Sequence, residues 1–269
     1  KIKKSKTINM DVNKNSYTLG FAAIMVIIVA ALLSVAAIVF KEPQERNVEL
    51  EKKQNILKSV AVEVSREESE TVYYNFIKEE LVIDSKGEIK EGIAFDVDLA
   101  KELKKDISEQ NLPLYIAEID GEKKYIIPLR GKGLWGPIWG FIALNEDLNT
   151  VYGAIFDHKG ETPGLGAEIN TGNFQIPFAG KTIFEGIEFI SISVIKSAEE
   201  DNMHAVNGIS GGTITSNGVS DMIKERLERY LPYFENQNPE TKIEKEVEII
   251  FSDSTLTDSL TKIQEESYE

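Results

Sequence analysis

The sequence predicts an α+β protein in which one N-terminal transmembrane helix precedes a soluble domain built on a mostly antiparallel sheet flanked by helices. Three observations carry that reading. Residues 18–40 form an uncharged, apolar run. Between 114 and 194, strand-length apolar runs are separated by short turns, which favours antiparallel pairing. An apolar stripe at helical spacing then runs from Val219 to Leu231.

At 1.5 Å per residue the 18–40 run makes roughly 34 Å of helix, enough to cross a hydrocarbon core of about 30 Å. Tyr17 and Phe40 stand at its ends as interfacial aromatics do, and Gly20, Ser34 and several alanines suit contact with neighbouring helices. Ser34-Val35-Ala36 has the form of a signal-peptide cleavage site. Signal h-regions, however, run only about 7–15 residues, and this run continues to Phe40, so a retained anchor is expected. Residues 1–40 carry five lysines against Asp11. Subtracting these from the totals of 30 basic and 45 acidic residues leaves 25 and 44, a net −19 for the remainder. The positive-inside rule then places residues 1–17 in the cytoplasm and the acidic domain on the far side.

Pro43 is expected to end the membrane helix. Residues 41–60, charged and with Val48, Ile56, Leu57 and Val60 loosely periodic, read as a stalk helix. The domain follows over 61–235. Segments 71–83 and 87–95 alternate as strands do, with Ser85-Lys86-Gly87 as a turn. Asp96 reads as the N-cap of a helix over 96–107, with Val97, Ala100, Leu103 and Ile107 on one face. Strands are expected at 114–119, 124–129, 138–144, 150–156, 182–184 and 188–194, with Asp120-Gly121 as a hairpin turn between the first two. The last helix starts near Ser216 or Asn217 and carries Val219, Met222, Ile223, Leu227, Tyr230 and Leu231 until Pro232 ends it. Residues 236–269 form a polar, acidic tail, with 247–251 as its lone apolar patch.

Composition removes several function classes. At 42% apolar and 28% charged residues the chain is globular rather than disordered. It has no cysteine, which excludes disulfides, thiolate metal sites and a cysteine nucleophile. Two histidines, His158 and His204, cannot complete a zinc or haem site alone, so no metal site is expected. A net charge of −15 makes nucleic acid a poor partner.

Three glycine-bearing stretches stand out. Residues 131–140 read GKGLWGPIWG, and alone they suit a hairpin whose tryptophans fill the core. Glu161-Thr162-Pro163-Gly164-Leu165-Gly166 suits an ordinary Pro-Gly turn. Asn207-Gly208-Ile209-Ser210-Gly211-Gly212-Thr213-Ile214-Thr215-Ser216 runs directly into the amphipathic helix. Such a loop suits a Ser/Thr cap, but it also offers bare backbone N–H groups and the positive end of a helix dipole to a phosphate, with hydroxyls from Ser210, Thr213 and Thr215. Gly208-Ile209-Ser210-Gly211-Gly212 matches the G-x-S-x-G elbow of serine hydrolases. In that fold the histidine follows the serine; both histidines here precede Ser210, so no catalytic triad is expected.

At these motifs the chain resembles the family of the C subunit of the sodium-translocating NADH:quinone reductase, and more distantly the G subunit of the Rnf electron-transport complex. The family's flavinylation motif, D-G-x-[ST]-G-A-T, stands here as residues 207–213, with Asn207 for the aspartate and Gly212 for the alanine. Residues 161–166 match the family's second flavin-lining loop. Residues 13–17 and 53–57 resemble its N-terminus and stalk, and Gly133-Leu134-Trp135 with the 140–144 strand favours the reductase family over the Rnf one.

The resemblance implies FMN joined by a phosphoester to Thr213. It implies a cofactor site from Ser210, Gly211, Gly212, Thr215, Glu161, Thr162, Gly164, Leu165, Gly166, Leu134 and Trp135, with N–H groups of the 164–166 turn on the ring edge. His204 is a further candidate to bond the flavin loop, and Lys132, Lys181 or Lys196 to offset its charge. His158 is expected in solvent beside Asp157 and Lys159, and Glu199-Glu200-Asp201 on a solvated face. A covalent bond suits an acidic domain outside the cytoplasm, where a lost anionic cofactor has no pool to replace it. The implied role is a single-electron relay in a bacterial inner-membrane complex. Electrons come from a metal centre in the membrane partners and go to the FMN of the reductase's B subunit on the way to quinone, coupled to sodium export. A flavin transferase matures the protein, and the chain alone, without a G-x-G-x-x-G after a strand, should not oxidise NADH. The alternatives are an Rnf-type subunit and a non-redox, membrane-anchored binding or assembly domain.

Overall fold

The computed structural model describes residues 14–237; the stretch before Lys14 and the 238–269 part of the acidic tail, with its 247–251 patch, lie outside the described residues. The chain divides into two compact units, Lys1–Glu51 and Lys52–Glu269. In the first, α1 (Asn15–Ser59) holds an 18-residue window of mean hydropathy 3.1 with nothing packed over it, long and apolar enough to cross a bilayer. Pro43, expected to end the membrane helix, lies inside α1. A proline forfeits one helical hydrogen bond and crowds the carbonyl four residues back. Lys41, Glu42, Gln44, Glu45 and Arg46 around it are strong helix formers, and they carry the helix across.

In the second unit the last turns of α1 lead to α2 (Ser69–Phe76), β1 (Ile77–Ile83), β2 (Ile89–Lys90), α3 (Leu99–Glu102), β3 (Leu112–Ile119), β4 (Glu122–Lys132), β5 (Pro137–Leu144) and β6 (Val151–His158). The strands form one antiparallel sheet in the order β2-β1-β3-β4-β5-β6. After α4 (Gly172–Gln175) come two short pairs: β7 (Phe184–Glu185) with β8 (Glu188–Phe189), and β9 (Ser193–Ile195), parallel to β10 (Ala205–Asn207). Then α5 (Thr213–Glu228) and α6 (Leu231–Gln237) close the described chain.

The sheet is buried on both faces. Leu112, Leu114, Ile116, Tyr125, Ile127 and Leu129 join Val219, Met222, Ile223 and Leu227 of α5 in one core. Their strand neighbours Tyr115, Ala117, Ile126, Phe141 and Ala143 pack with Ile56, Leu57 and Tyr73 in the other. A strand covered on both sides reads as an unbroken apolar run, which is why β5 and most of β3 look so uniformly hydrophobic. At the β3–β4 hairpin, Asp120 (φ 52°) and Gly121 (φ 83°) are both left-handed, as a two-residue type I′ turn requires.

Several segments fold otherwise than their pattern predicts: of the strands expected at 182–184 and 188–194, only Phe184, Glu188–Phe189 and Ser193–Val194 are strand. Residues 71–83 begin as α2, not as strand. This places Tyr73 in the core, its hydroxyl donating to Glu80 at 2.9 Å, its ring edge-on to Phe95. Buried Lys53 pairs with Glu70 at 3.2 Å and lies 5.0 Å from the Tyr74 ring centre. Of 87–95, only Ile89–Lys90 is strand. The helix expected over 96–107 shrinks to α3, capped by Asp98 rather than Asp96, and Ile107 is exposed. Buried Glu102 accepts the N–H of Asn111 at 2.8 Å and turns the chain back into β3, so tertiary contact overrides periodicity. Likewise α5 starts at Thr213, ahead of Ser216, and ends at Glu228; Pro232 sits in the first turn of α6.

Burial pushes the phenol of Tyr233 up to about 12, and holds those of Tyr73, Tyr115 and Tyr230 well above their ordinary value. These groups bind their protons more tightly when folded than when unfolded. Their contribution is therefore complete below about pH 10 and is lost as pH rises from there through 12 and beyond. The urea midpoint, measured in pH steps, is expected to hold below pH 10 on this account and to fall steadily above it.

Candidate functional site

The three glycine-bearing stretches meet at the N-terminus of α5. They form a groove of about 240 Å³ lined by Leu134, Trp135, Glu161, Thr162, Leu165, Gly166, Gly211, Gly212, Thr213, Ile214 and Thr215. The first stretch is indeed a hairpin, closed between Gly133 and Gly136. Neither tryptophan fills the core: Trp139 is half-buried and Trp135 is 68% exposed, beside Leu134 at 48%. With Leu165 and Ile214, also exposed, these make an apolar wall open to solvent.

Glu161 ties the stretches together. It is buried, and its Oε1 accepts the N–H of Trp135 at 2.8 Å while its Oε2 accepts the Thr215 hydroxyl at 2.7 Å. The glycines beside it are required by this clamp. A Cβ on Gly133 would stand 2.5 Å from Oε1, and one on Gly166 would stand 2.5 Å from Oε2. A carboxylate held at the start of a helix is also favoured by the helix dipole.

The loop before α5 turns at Ile209–Gly212, closed by Gly212 N–H to the Ile209 carbonyl at 2.9 Å with Gly211 at φ 76°. Ser216, buried, accepts the N–H of Ile209 at 3.0 Å and fastens the loop to the helix. The N-cap is Gly212 and no side chain caps it. A helix begins with N–H groups that have no partner within it, so this one presents bare donors and positive potential beside the exposed Thr213. Farther along, the backbone at Gly218 lies against β4, where a Cβ would strike the Lys132 carbonyl oxygen. Alanine's helical advantage, about 1 kcal/mol, cannot offset that overlap with backbone. Gly218→Ala is expected to lower unfolding free energy by about 1–3 kcal/mol, read from urea midpoints.

Nine of the eleven non-covalent site residues expected from sequence line the groove, and so does Thr213. Ser210 lies exposed at the tip of the turn, and Gly164, at φ 74°, gives its N–H to Glu168 at 2.9 Å; neither lines the groove. The 164–166 turn therefore has fewer donors than expected, because Leu165 N–H is also taken, by the Thr162 carbonyl. His204 bonds the Thr182 carbonyl at 2.8 Å, not the loop before α5. His158 is no solvent residue: its Nδ1 accepts the N–H of Glu161 at 3.1 Å, and its Nε2 is buried. None of the three lysines lines the groove; Lys181 donates to the Asn202 carbonyl. Glu199, Glu200 and Asp201 are exposed as expected. Ile214 was missed, although its place beside Thr213 and off the buried stripe of α5 was a signal. Asn207 Oδ1 accepts the N–H of Ala198 at 2.8 Å.

The family model described as the FMN-binding domain matches residues 133–228, which takes in the second and third stretches and all but Gly131 and Lys132 of the first. The C subunit of the Na(+)-translocating NADH-quinone reductase of Haemophilus ducreyi is 31% identical over 231 residues, covering 79% of this chain and 90% of that protein. The C subunit of the Vibrio vulnificus reductase is 30% identical over 220 residues, covering 75% and 86%. Among solved structures, the C subunit of the Parabacteroides distasonis reductase is 45% identical with a TM-score of 0.67, covering 72% of this chain and 96% of that one. Shewanella oneidensis NqrC, at 24% identity and a TM-score of 0.61, shares the fold. By sequence and by structure, this chain belongs to the family of the C subunits of the Na(+)-translocating NADH-quinone reductases.

Proposed function

We propose that this chain is an electron-transfer subunit of a sodium-translocating NADH:quinone reductase, carrying FMN as a phosphoester on Thr213. The observation that carries the reading is an exposed threonine hydroxyl on the first turn of an uncapped helix, next to an exposed apolar wall. The residues suit the group. Gly211 and Gly212 put no side chain over the first turn of α5, whose N–H groups suit a phosphate, and a Cβ on Gly211 would stand 2.7 Å from Leu165 Cδ2. Leu134, Trp135, Leu165 and Ile214 offer apolar surface to an isoalloxazine ring.

When bound, FMN supplies one-electron redox chemistry. The protein's part is to hold and to orient. Thr213 Oγ provides the ester oxygen, the first turn of α5 neutralises phosphate charge, and Glu161 fixes the Trp135 and Thr215 walls against each other. With FMN held there, the chain would relay single electrons from a metal centre in the membrane partners to the FMN of the B subunit on the way to quinone. The 18–40 segment anchors the chain in a bacterial inner membrane, residues 1–17 stay in the cytoplasm, and the 61–235 domain works on the other side. Sodium export belongs to the whole complex, and this chain alone does not oxidise NADH. Expressed with a flavin transferase, the denatured polypeptide is expected to fluoresce under ultraviolet light on a gel. A dark band from such cells would contradict the proposal.

A further inference from the structure

A second groove, of about 360 Å³, lies between the end of β4 and the middle of α5. Arg226 lines it and is only 8% exposed. Its Nη2 meets Glu225 Oε2 at 3.2 Å, yet its Nε and Nη1 are buried with no hydrogen-bond partner. A guanidinium buried with unused donors is costly unless an acceptor completes it, and an ionised acceptor does so best.

The surroundings select the acceptor. Arg130 and Lys132 also line the groove, as do Asp221 and Glu225. Three cations against two carboxylates leave one positive charge, in a chain whose net charge is −15. One monoanion balances that site, whereas a dianion would leave excess negative charge beside Asp221 and Glu225. Half-buried Leu103 gives the groove apolar surface on which methylene groups can lie. We propose that this groove binds a monocarboxylate on a short aliphatic stem, with the carboxylate on Arg226 and the stem on Leu103. The carboxylate is either free in solution or carried by an acidic side chain of a neighbouring protein in the complex. The site stands apart from the groove at Thr213 and holds whether or not flavin is attached there.

The test titrates the detergent-solubilised full chain with sodium butyrate, using sodium chloride and sodium phosphate at matched ionic strength as controls. A saturable rise in melting temperature with butyrate, larger than with either control, is expected. Arg226→Gln should weaken binding about tenfold or more, the scale of a lost charge-assisted hydrogen bond. Lys132 is exposed, so Lys132→Gln tests the same groove without disturbing the core, and a smaller loss of a few-fold is expected. No butyrate response beyond chloride, a stronger response to phosphate, or unchanged affinity in both variants would overturn the proposal. Repeating the titration on the assembled complex separates the sources. Retained butyrate binding assigns a free ligand. Lost binding, with the Arg226→Gln chain washing off the complex at lower salt, assigns a neighbour's side chain.

Discussion

Thr213→Val is expected to abolish covalent flavin while leaving the fold intact. Thr213 is exposed, its hydroxyl caps nothing, and valine keeps its shape, so stability should change by no more than about 0.5 kcal/mol. The comparison with Thr215→Val makes the result specific. Thr215 is 1% exposed and its hydroxyl donates to buried Glu161, so that change strands a carboxylate oxygen and should cost about 1–3 kcal/mol. Two neighbouring threonines on the same turn thus have separable roles. One carries the group and the other carries the wall. Gel fluorescence and urea midpoints, measured on both variants, check the pair: loss of fluorescence with normal stability for the first, reduced stability for the second.

Glu161→Ala carries the largest expected effect on stability. It removes the acceptor of two donors at once, the Trp135 N–H and the Thr215 hydroxyl, and leaves space where Gly133 and Gly166 approach. Trp135 is exposed enough for water to replace one bond, whereas Thr215 is not. The expected loss is about 2–4 kcal/mol, with weakened flavin loading, because the groove walls lose their tie. Glu161→Gln should keep most of the stability, since its carbonyl can accept from Trp135 and its amide can donate to Thr215 Oγ1. An alanine variant as stable as the parent would mean that the three stretches do not depend on this side chain.

The parts of this protein legible in its sequence are those where one local pattern decides. The uncharged 18–40 run, the left-handed Asp120-Gly121 pair and the apolar stripe of α5 each prescribe a single structure. Failures came where a distant contact decides. Residues 71–76 alternate like a strand, but burying Tyr73 against Phe95 and placing Lys53 over the aromatic rings requires a helix. Residues 96–107 have helical periodicity, but Glu102 is claimed by Asn111. The site was legible as motifs, because glycines must stand where backbone and carboxylate approach closely. Its joint was not. Nothing local says that Glu161, in a Pro-Gly turn, bonds a hydroxyl 54 residues later, or that His158 accepts the N–H of Glu161.

The proposed function rests on a single ester at Thr213, which the intact mass of the matured, denatured chain reads out. A mass raised by one FMN less one water is expected, with fragmentation placing the addition on Thr213 and none on the Thr213→Val chain. An unmodified mass from cells that supply the flavin transferase, or an addition on any other side chain, would contradict it.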